Sequence, residues 1–573
     1  MISHTLRIAP LAMLLTFIGS VSPLRAQPPA SEAAAPPPAQ APLRQAASAV
    51  ERTPPRLSFV QGQVSFWRPG AQDWSPAQLN TPLAPGDAVY CGTAANLELQ
   101  IGPRAFVRVG ENTQLGFENQ DPDFLQFKLT TGHAALDVRA LPPGHAIELD
   151  TPTAAFTIET AGYYRIDVTA DTTAFITRRG GRATITSAGG EMSAIAPSEE
   201  IVVQGTEKAS LETYVAPELD AWDRWNYART DHLIDTVSER YVPPGVYGAD
   251  ELDHYGTWRV VPEYGPVWIP QSVPREWAPY SAGTWTWDPY YQWTWVDYSP
   301  WGWAPYHYGR WVFVNRFWAW APGPPVVAPV YAPALVAFFG GPHFGPGIGV
   351  AGPAVGWVAL GWGEPITPWW GPVGFIGVPW WGGWGGPRTV ERVTVYQNVR
   401  VTNAVIVARE DRFGRGRVDF VRAHGLDPHQ LEAVEGRVPV RPLAASMSAA
   451  SGHAPRPPDA VWARPVVSTR APHDNTAALR AAGLDVPPRR GPEARIVSPP
   501  SAPHSALTAP RAPFGEHGTT ERQPPPLPPQ YGGGRPSGTV PGQPGNLPGQ
   551  PANQLYRGGR RPATRGSAHQ RSQ

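Results

Sequence analysis

The stretch GTWTWDPYYQWTWVDYSPWGWAPYHYGRW, Gly283 to Trp311, places seven tryptophans in 29 residues. Trp285 and Trp287 are two apart, as are Trp293 and Trp295, and Trp301 and Trp303. Residues two apart on a strand share a face, and Asp288-Pro289-Tyr290 between the first two pairs has turn chemistry. The spacing predicts strand, tight turn, strand. It also recurs: Trp277-Ala278-Pro279-Tyr280 with Gly283-Thr284-Trp285 returns 26 residues later as Trp303-Ala304-Pro305-Tyr306 with Gly309-Arg310-Trp311. One unit earlier stands Tyr255-Gly256-Thr257-Trp258. Each Gly-x-Trp meets a second Trp nine or ten residues on (258 and 268, 285 and 295, 311 and 320). Pro262-Glu263-Tyr264-Gly265 and Asn315-Arg316 supply the other turns. Three β-hairpins are expected.

Two readings of the indoles stand side by side. Leu, Ile and Met are scarce here, and short hairpins cannot each bury a face, so stacked rings of about 150–250 Å² apiece would be the core. Alternatively, Trp285, Trp287, Trp293, Trp295, Trp301, Trp303 and Trp311 form an aromatic platform for the rings of a cell-wall glycan or for a Pro-rich peptide. Asp288, Asp297 and Glu364 lie among these aromatics, as sugar-binding groups or as turn formers.

Outward from this segment the chain changes texture several times. MISHTLRIAPLAMLLTFIGSVSPLRAQ opens with Arg7, an apolar run from Ile8 to Ile18 and a cleavage site at Ala26, the pattern of a secretory leader over 1–26. Export to the periplasm or cell envelope is therefore expected. Residues 27–55 are a Pro/Ala-rich lead-in. Residues 56–206 carry ten short β-signals, among them LSFVQGQVSFW, NLELQI, AFVRV, FLQFKL and YYRIDV, separated by Gly, Pro, Asp and Asn. Residues 217–241 read as a linking helix with Leu219, Trp222, Trp225, Ile234, Val237 and Tyr241 on one stripe, ended by Pro243-Pro244-Gly245. The Trp/Tyr-rich hairpin domain takes 243–412, with closing strands expected between Val390 and Val407. A transition segment follows at 413–440. Residues 441–573, poor in large apolar side chains, are expected to form a disordered Pro/Gly/Arg-rich tail. The fold class is mainly all-β.

Two resemblances fit this division. Val60-Gln61-Gly62-Gln63-Val64, Pro85-Gly86-Asp87, Leu97-Glu98-Leu99 and Phe106-Val107-Arg108-Val109 resemble the FecR-type domain, although Ile101-Gly102-Pro103-Arg104 departs from the family's usual turn. That resemblance implies periplasmic signal sensing through a membrane partner, the alternative function considered for this chain. Only about seven residues precede the apolar run, so the cytoplasmic half such signalling needs is not visible. Arg240-Tyr241-Val242-Pro243-Pro244, Tyr264-Gly265-Pro266-Val267-Trp268 and Pro300-Trp301-Gly302-Trp303-Ala304-Pro305-Tyr306 resemble an uncharacterised family of exported Trp/Tyr-rich bacterial proteins. It implies an architecture and no activity.

Composition narrows the function classes. The 71 Pro and 59 Gly together make near 23% of 573 residues, against about 12% ordinarily. Lys+Arg and Asp+Glu both number 47, which leaves no global positive field for nucleic acid. From Arg388 onward, however, 25 Arg stand against 13 Asp+Glu, about +12. Cys91 is the only cysteine, so no internal disulfide forms. Between Phe317 and Pro387 only Glu364 is charged, yet Pro and Gly recur too often for a spanning helix. No G-x-S-x-G, H-E-x-x-H or phosphate loop occurs. The scattered histidines, His254, His307 and His343 among them, lack metal spacing. Asp250, Glu251 and Asp253, just before Tyr255, read as a general acid and base or as a solvated turn that ties the helix linker to the sheet. A non-enzymatic envelope protein is expected, without catalytic residue, cofactor or metal, and with a cell-wall glycan or envelope protein as partner.

Overall fold

The computed structural model describes residues 53–323, 330–340, 344, 350–366, 369–370, 395–416, 421–423, 427–434, 436–485 and 494–497. The expected leader, residues 27–52 of the lead-in and residues 498–573 of the expected tail lie outside them. The described chain is built mainly from β-strands with a few short helices.

The N-terminal β unit is two sheets that share one strand. In the first, Arg56–Gln61, Asn96–Gly102, Ala105–Val109, the second half of Phe124–Val138, Gly162–Val168, Thr172–Arg178, Glu199–Gln204 and Ser210–Val215 lie side by side. In the second, Ser75–Pro76, Val64–Trp67, Ala88–Cys91, Thr113–Asp121, the first half of Phe124–Val138, Ala146–Asp150, Ala154–Ile158, Ala183–Ser187 and Met192–Ile195 follow one another. The shared strand changes sheets between Thr131, which pairs with Gln114, and Gly132, which pairs with Val168. Gly132 has φ +89°, and a Cβ there would lie 2.1 Å from Thr113 Oγ1, so only glycine fits the bend. The inward faces meet across the sandwich, as where Phe156 of one sheet stacks on Phe175 of the other at 4.4 Å.

The helix spans Ala221–Leu233, shorter than 217–241. Asp220 caps it: its carboxylate accepts from Asp223 N at 2.8 Å, while Asp223 accepts in return from Asp220 N. Its buried stripe is polar, Asp223, Asn226 and Thr230 with Leu233, not the expected Leu219/Trp222/Trp225 row. The reason is the surface it docks on. Tyr163 Oη donates to Asp223 Oδ1 at 2.6 Å, and Arg108 donates to Thr230 Oγ1 and the Asn226 carbonyl at 2.8 and 3.0 Å.

Three hairpins follow. Gly256–Val261 with Gly265–Pro270 and Arg310–Val314 with Phe317–Ala321 join through Trp268 and Trp320 into one four-stranded sheet. The middle hairpin, Gly283–Asp288 with Gln292–Asp297, stands alone. A further sheet holds Val336–Phe339, Ala354–Ala359, Ile406–Arg409 and Val421–Arg422. Of the closing strands expected at 390–407, residues 390–394 lie outside the described chain. A 3-10 turn occupies Gln397–Arg400, and the strand starts only at Ile406.

Residues 441–485, expected to be disordered, instead form a strap across the β unit. Met447, Val466, Val467 and Leu479 are buried, and Trp462 packs edge-on against Trp67 and Trp74 at 5.3 and 5.2 Å. Val467 N donates to the Thr151 carbonyl at 2.8 Å, and Ser468 and Thr469 hydroxyls donate to Asp150 and Glu148. The segment is too poor to build a core of its own, but it borrows one from the sheet it covers.

Candidate functional site

In the hairpins, each Gly-x-Trp indole sits opposite its distant mate: Trp258 pairs with Trp268, Trp285 with Trp295 and Trp311 with Trp320. Turn chemistry sets these registers. Asp288 Oδ1 accepts from Tyr290 N and Tyr291 N at 2.8 and 2.6 Å, and its Oδ2 accepts from Thr294 Oγ1 at 3.2 Å. Asn315 and Arg316 both hold positive φ, 51° and 68°, the two-residue turn whose twist suits a hairpin.

The structure decides between the two readings of the indoles. Trp285, Trp287, Trp293, Trp295, Trp301, Trp303 and Trp311 are all buried, none more than 6% exposed. They are core and present no platform to a glycan. The middle hairpin is covered on both faces, since Thr284, Thr286 and Thr294 are as buried as the tryptophans beside them. Trp301 packs between Trp268 and Trp277, and Trp303 stacks on Tyr331 and lies against His307.

The five acids considered for chemistry serve separate local structures. Asp288 forms its turn. Asp297 accepts from Ser299 N at 2.9 Å and Trp295 Nε1 at 3.2 Å. Glu364 accepts from Gly361 N and Gln397 N at 2.6 and 2.5 Å. Asp250, expected in a solvated turn, is instead buried 3.9 Å from Arg56, and Glu251 beside it is half-buried. Burial raises the carboxyl of Asp297 to about 6, and it raises those of Asp288, Asp250, Glu251 and Glu364 as well. Among the described residues no group of three or more His, Cys, Asp or Glu is placed to hold a metal.

What the sequence reading missed is a buried polar seam between the β unit and the hairpins. Arg56 donates to Gln100 Oε1 at 2.8 Å and Asn80 Oδ1 at 3.1 Å, and its guanidinium lies 5.7 Å from the Trp303 ring. Asn80 in turn donates to the Asp297 and Ser299 carbonyls at 3.2 and 2.8 Å. Arg68 grips Asp87 with two bonds of 2.8 and 2.5 Å and donates to the Trp287 carbonyl at 3.2 Å. Burial still raises Asp87 to about 6 against the pull of Arg68. Tyr247 Oη donates to the Ile101 carbonyl at 2.8 Å. These bonds tie the aromatic segment to the first strands of the β unit.

His307 gives the aromatic core a pH response. Its Nδ1 lies 2.8 Å from the Ala332 carbonyl, which can only accept, so Nδ1 carries the proton. Burial lowers its pKa to about 3, below the ordinary value of about 6.5. The unfolded chain therefore takes up the proton first as pH falls. Stability from this group is full above about pH 6.5 and is lost toward pH 3 at about 1.4 kcal/mol per unit. Asp87 and Asp297, with raised pKa values, act in the opposite sense, so a comparison isolates the histidine. In melts from pH 7.5 to 4.5, the stability gap between the wild type and His307→Phe should narrow as pH falls. A constant gap would place the imidazole in contact with water.

Residues 249–364 match the model of a family of unknown function, DUF6600; the match contains all three hairpins. No curated protein matches. Two crystal structures of a putative anti-sigma factor from Parabacteroides distasonis are similar over part of the chain. One is 13% identical over 22% of this chain and 59% of its own, with a TM-score of 0.20. The other is 12% identical over 25% and 64%, with a TM-score of 0.21. The chain thus spans less than two thirds of either. No helix among the described residues is long and apolar enough to cross a membrane.

Proposed function

We propose that this protein is a non-catalytic binding or scaffolding component of the bacterial cell envelope, exported by its N-terminal leader. The observation that carries the reading is the fate of the chemistry-bearing residues. All seven candidate indoles are consumed in the core, and the acids around them are bound up in turns, hairpin ends and the seam. What such a block offers a partner is its outer surface and its C-terminal chain. Residues 498–573 carry eight Arg against two Glu, a charge suited to anionic cell-wall polymers and weakened by salt.

The test is co-sedimentation of the full chain with peptidoglycan, with Trp emission followed in parallel. Expected is binding that falls from 50 to 300 mM salt and is lost on truncation after Val497, with no change in Trp emission. Saturable quenching of the indoles would overturn the reading of where the ligand binds. Release of new reducing ends would overturn the non-catalytic assignment.

A further inference from the structure

The strand Ser210–Val215 is exposed at every position. Among the described residues its only strand partner is Glu199–Gln204, so it forms an edge of the first sheet. Folded proteins normally blunt such edges with charge, proline, shortness or a covering loop. The other edges here conform. Met192–Ile195 has four residues, and the loop through Thr81 and Leu83 covers Arg56–Gln61 by donating from Leu83 N to Pro55 and accepting from Leu57 N. Ser210–Val215 has six residues, no proline and no covering strand among the described residues, and a single charge, Glu212. It presents Leu211, Tyr214 and Val215, which are 40%, 50% and 84% exposed.

Its register identifies what fits. Ala216 N donates to the Ser198 carbonyl, so in the antiparallel ladder Ser210, Glu212 and Tyr214 point their backbone groups inward, to Gln204, Val202 and Glu200. Leu211, Thr213 and Val215 then point theirs outward. An antiparallel copy of the same strand, related by a two-fold axis at Thr213, would place Thr213 opposite Thr213 and Leu211 opposite Val215. It satisfies all three outward N–H and all three outward C=O groups of each chain. On this face Leu211 and Thr213 adjoin Val203 and Ile201, both buried in the sandwich core, so the new apolar row continues the core. On the other face Glu212 meets Tyr214 of the second copy, two side chains that already hydrogen-bond within one chain. The same axis brings the end carrying Lys208 toward the end carrying Glu218. An axis at Glu212 would instead set Glu212 opposite Glu212, like charges directly facing one another.

The geometry points to a homodimer of this chain, formed by edge-to-edge pairing of Ser210–Val215 about a two-fold axis at Thr213, as an isologous interface requires. Sedimentation of the full chain should give twice the chain mass at micromolar concentration. Thr213→Pro removes an outward donor but no bond of the internal ladder, because Thr213 faces Ile201 at a non-hydrogen-bonded position. It should sediment as a folded monomer whose melting temperature no longer rises with protein concentration, while Thr213→Ser remains dimeric. Thr213→Cys should form an intermolecular disulfide on mild oxidation, since a hydrogen-bonded pair sets Cα atoms about 5.5 Å apart. Ser210→Cys should not, its copies lying about 20 Å apart. Cys91 is buried and silent in this assay. A wild type that stays monomeric, or a dimer that survives Thr213→Pro without a 213–213 crosslink, overturns the proposal.

Discussion

Replacing Trp285 by alanine should destabilise the protein by about 3–5 kcal/mol, the range for deleting a buried large aromatic ring. Trp285 is 1% exposed and sits where separate segments converge. Its ring lies 5.4 Å from Trp295 across the hairpin, 4.9 Å from Phe338, 5.7 Å from Trp357 and 5.6 Å from Phe413. Such a site collapses poorly, because its walls belong to different strands and loops. The Trp285 Nε1 has no hydrogen-bond partner among the described residues, so the loss is almost wholly packing. Trp285→Phe should therefore recover much of it. Trp268 provides the contrast: its Nε1 donates to the Leu252 carbonyl at 2.9 Å, and Trp268→Phe should cost about 1 kcal/mol more for the orphaned acceptor. Urea unfolding monitored by circular dichroism measures each value. A Trp285→Ala midpoint indistinguishable from wild type would remove this indole from the core.

The hairpins were legible because their turns fix the register. Asp288-Pro289-Tyr290 and Asn315-Arg316 dictate which indole faces which, and Trp285 meets Trp295 as spacing alone predicts. Exposure was not legible. Period-two alternation marks a half-buried strand, but the middle hairpin is buried on both faces, with threonines filling the second. The strap escaped for another reason. Composition judges whether a segment can bury its own core, whereas Ser468 and Thr469 complete the hydrogen bonding of Asp150 and Glu148, residues about 320 positions earlier. The helix was placed near its position but given the wrong face, because Asp223, Asn226 and Thr230 look solvent-facing until the arginines beneath them are known. One signal of that polar surface was present: Glu98 and Arg108 fall opposite each other across the hairpin of Asn96–Gly102 and Ala105–Val109, an opposite-charge cross-strand pair.

That pair leads to the second large effect. Glu98 is fully buried and accepts four bonds: from Arg108 Nε at 2.7 Å, from Arg229 at 2.7 and 2.8 Å, and from Ser58 Oγ at 2.9 Å. Although burial raises its pKa, Arg108 and Arg229 together hold the carboxyl at about 2. Its ionic contribution is therefore complete above about pH 4.3 and is lost as pH falls toward 2. Glu98→Ala strands two guanidinium groups in a buried site, and breaking such a cluster costs about 3–5 kcal/mol. Because Arg229 belongs to the helix Ala221–Leu233, the damage should localise there: amide exchange of that segment should rise by more than tenfold while the hairpins stay protected. Glu98→Gln, which keeps the shape but not the charge, should behave nearly as badly. Adding Arg108→Met to Glu98→Ala should restore more than 1 kcal/mol by removing one uncompensated charge. If exchange in the helix is unchanged in Glu98→Ala, then the Tyr163–Asp223 bond and the ion pair of 2.5 Å between Arg165, on the strand Gly162–Val168, and the cap residue Asp220 hold it unaided, and the buried arginine pair is not what docks the helix to the sheet.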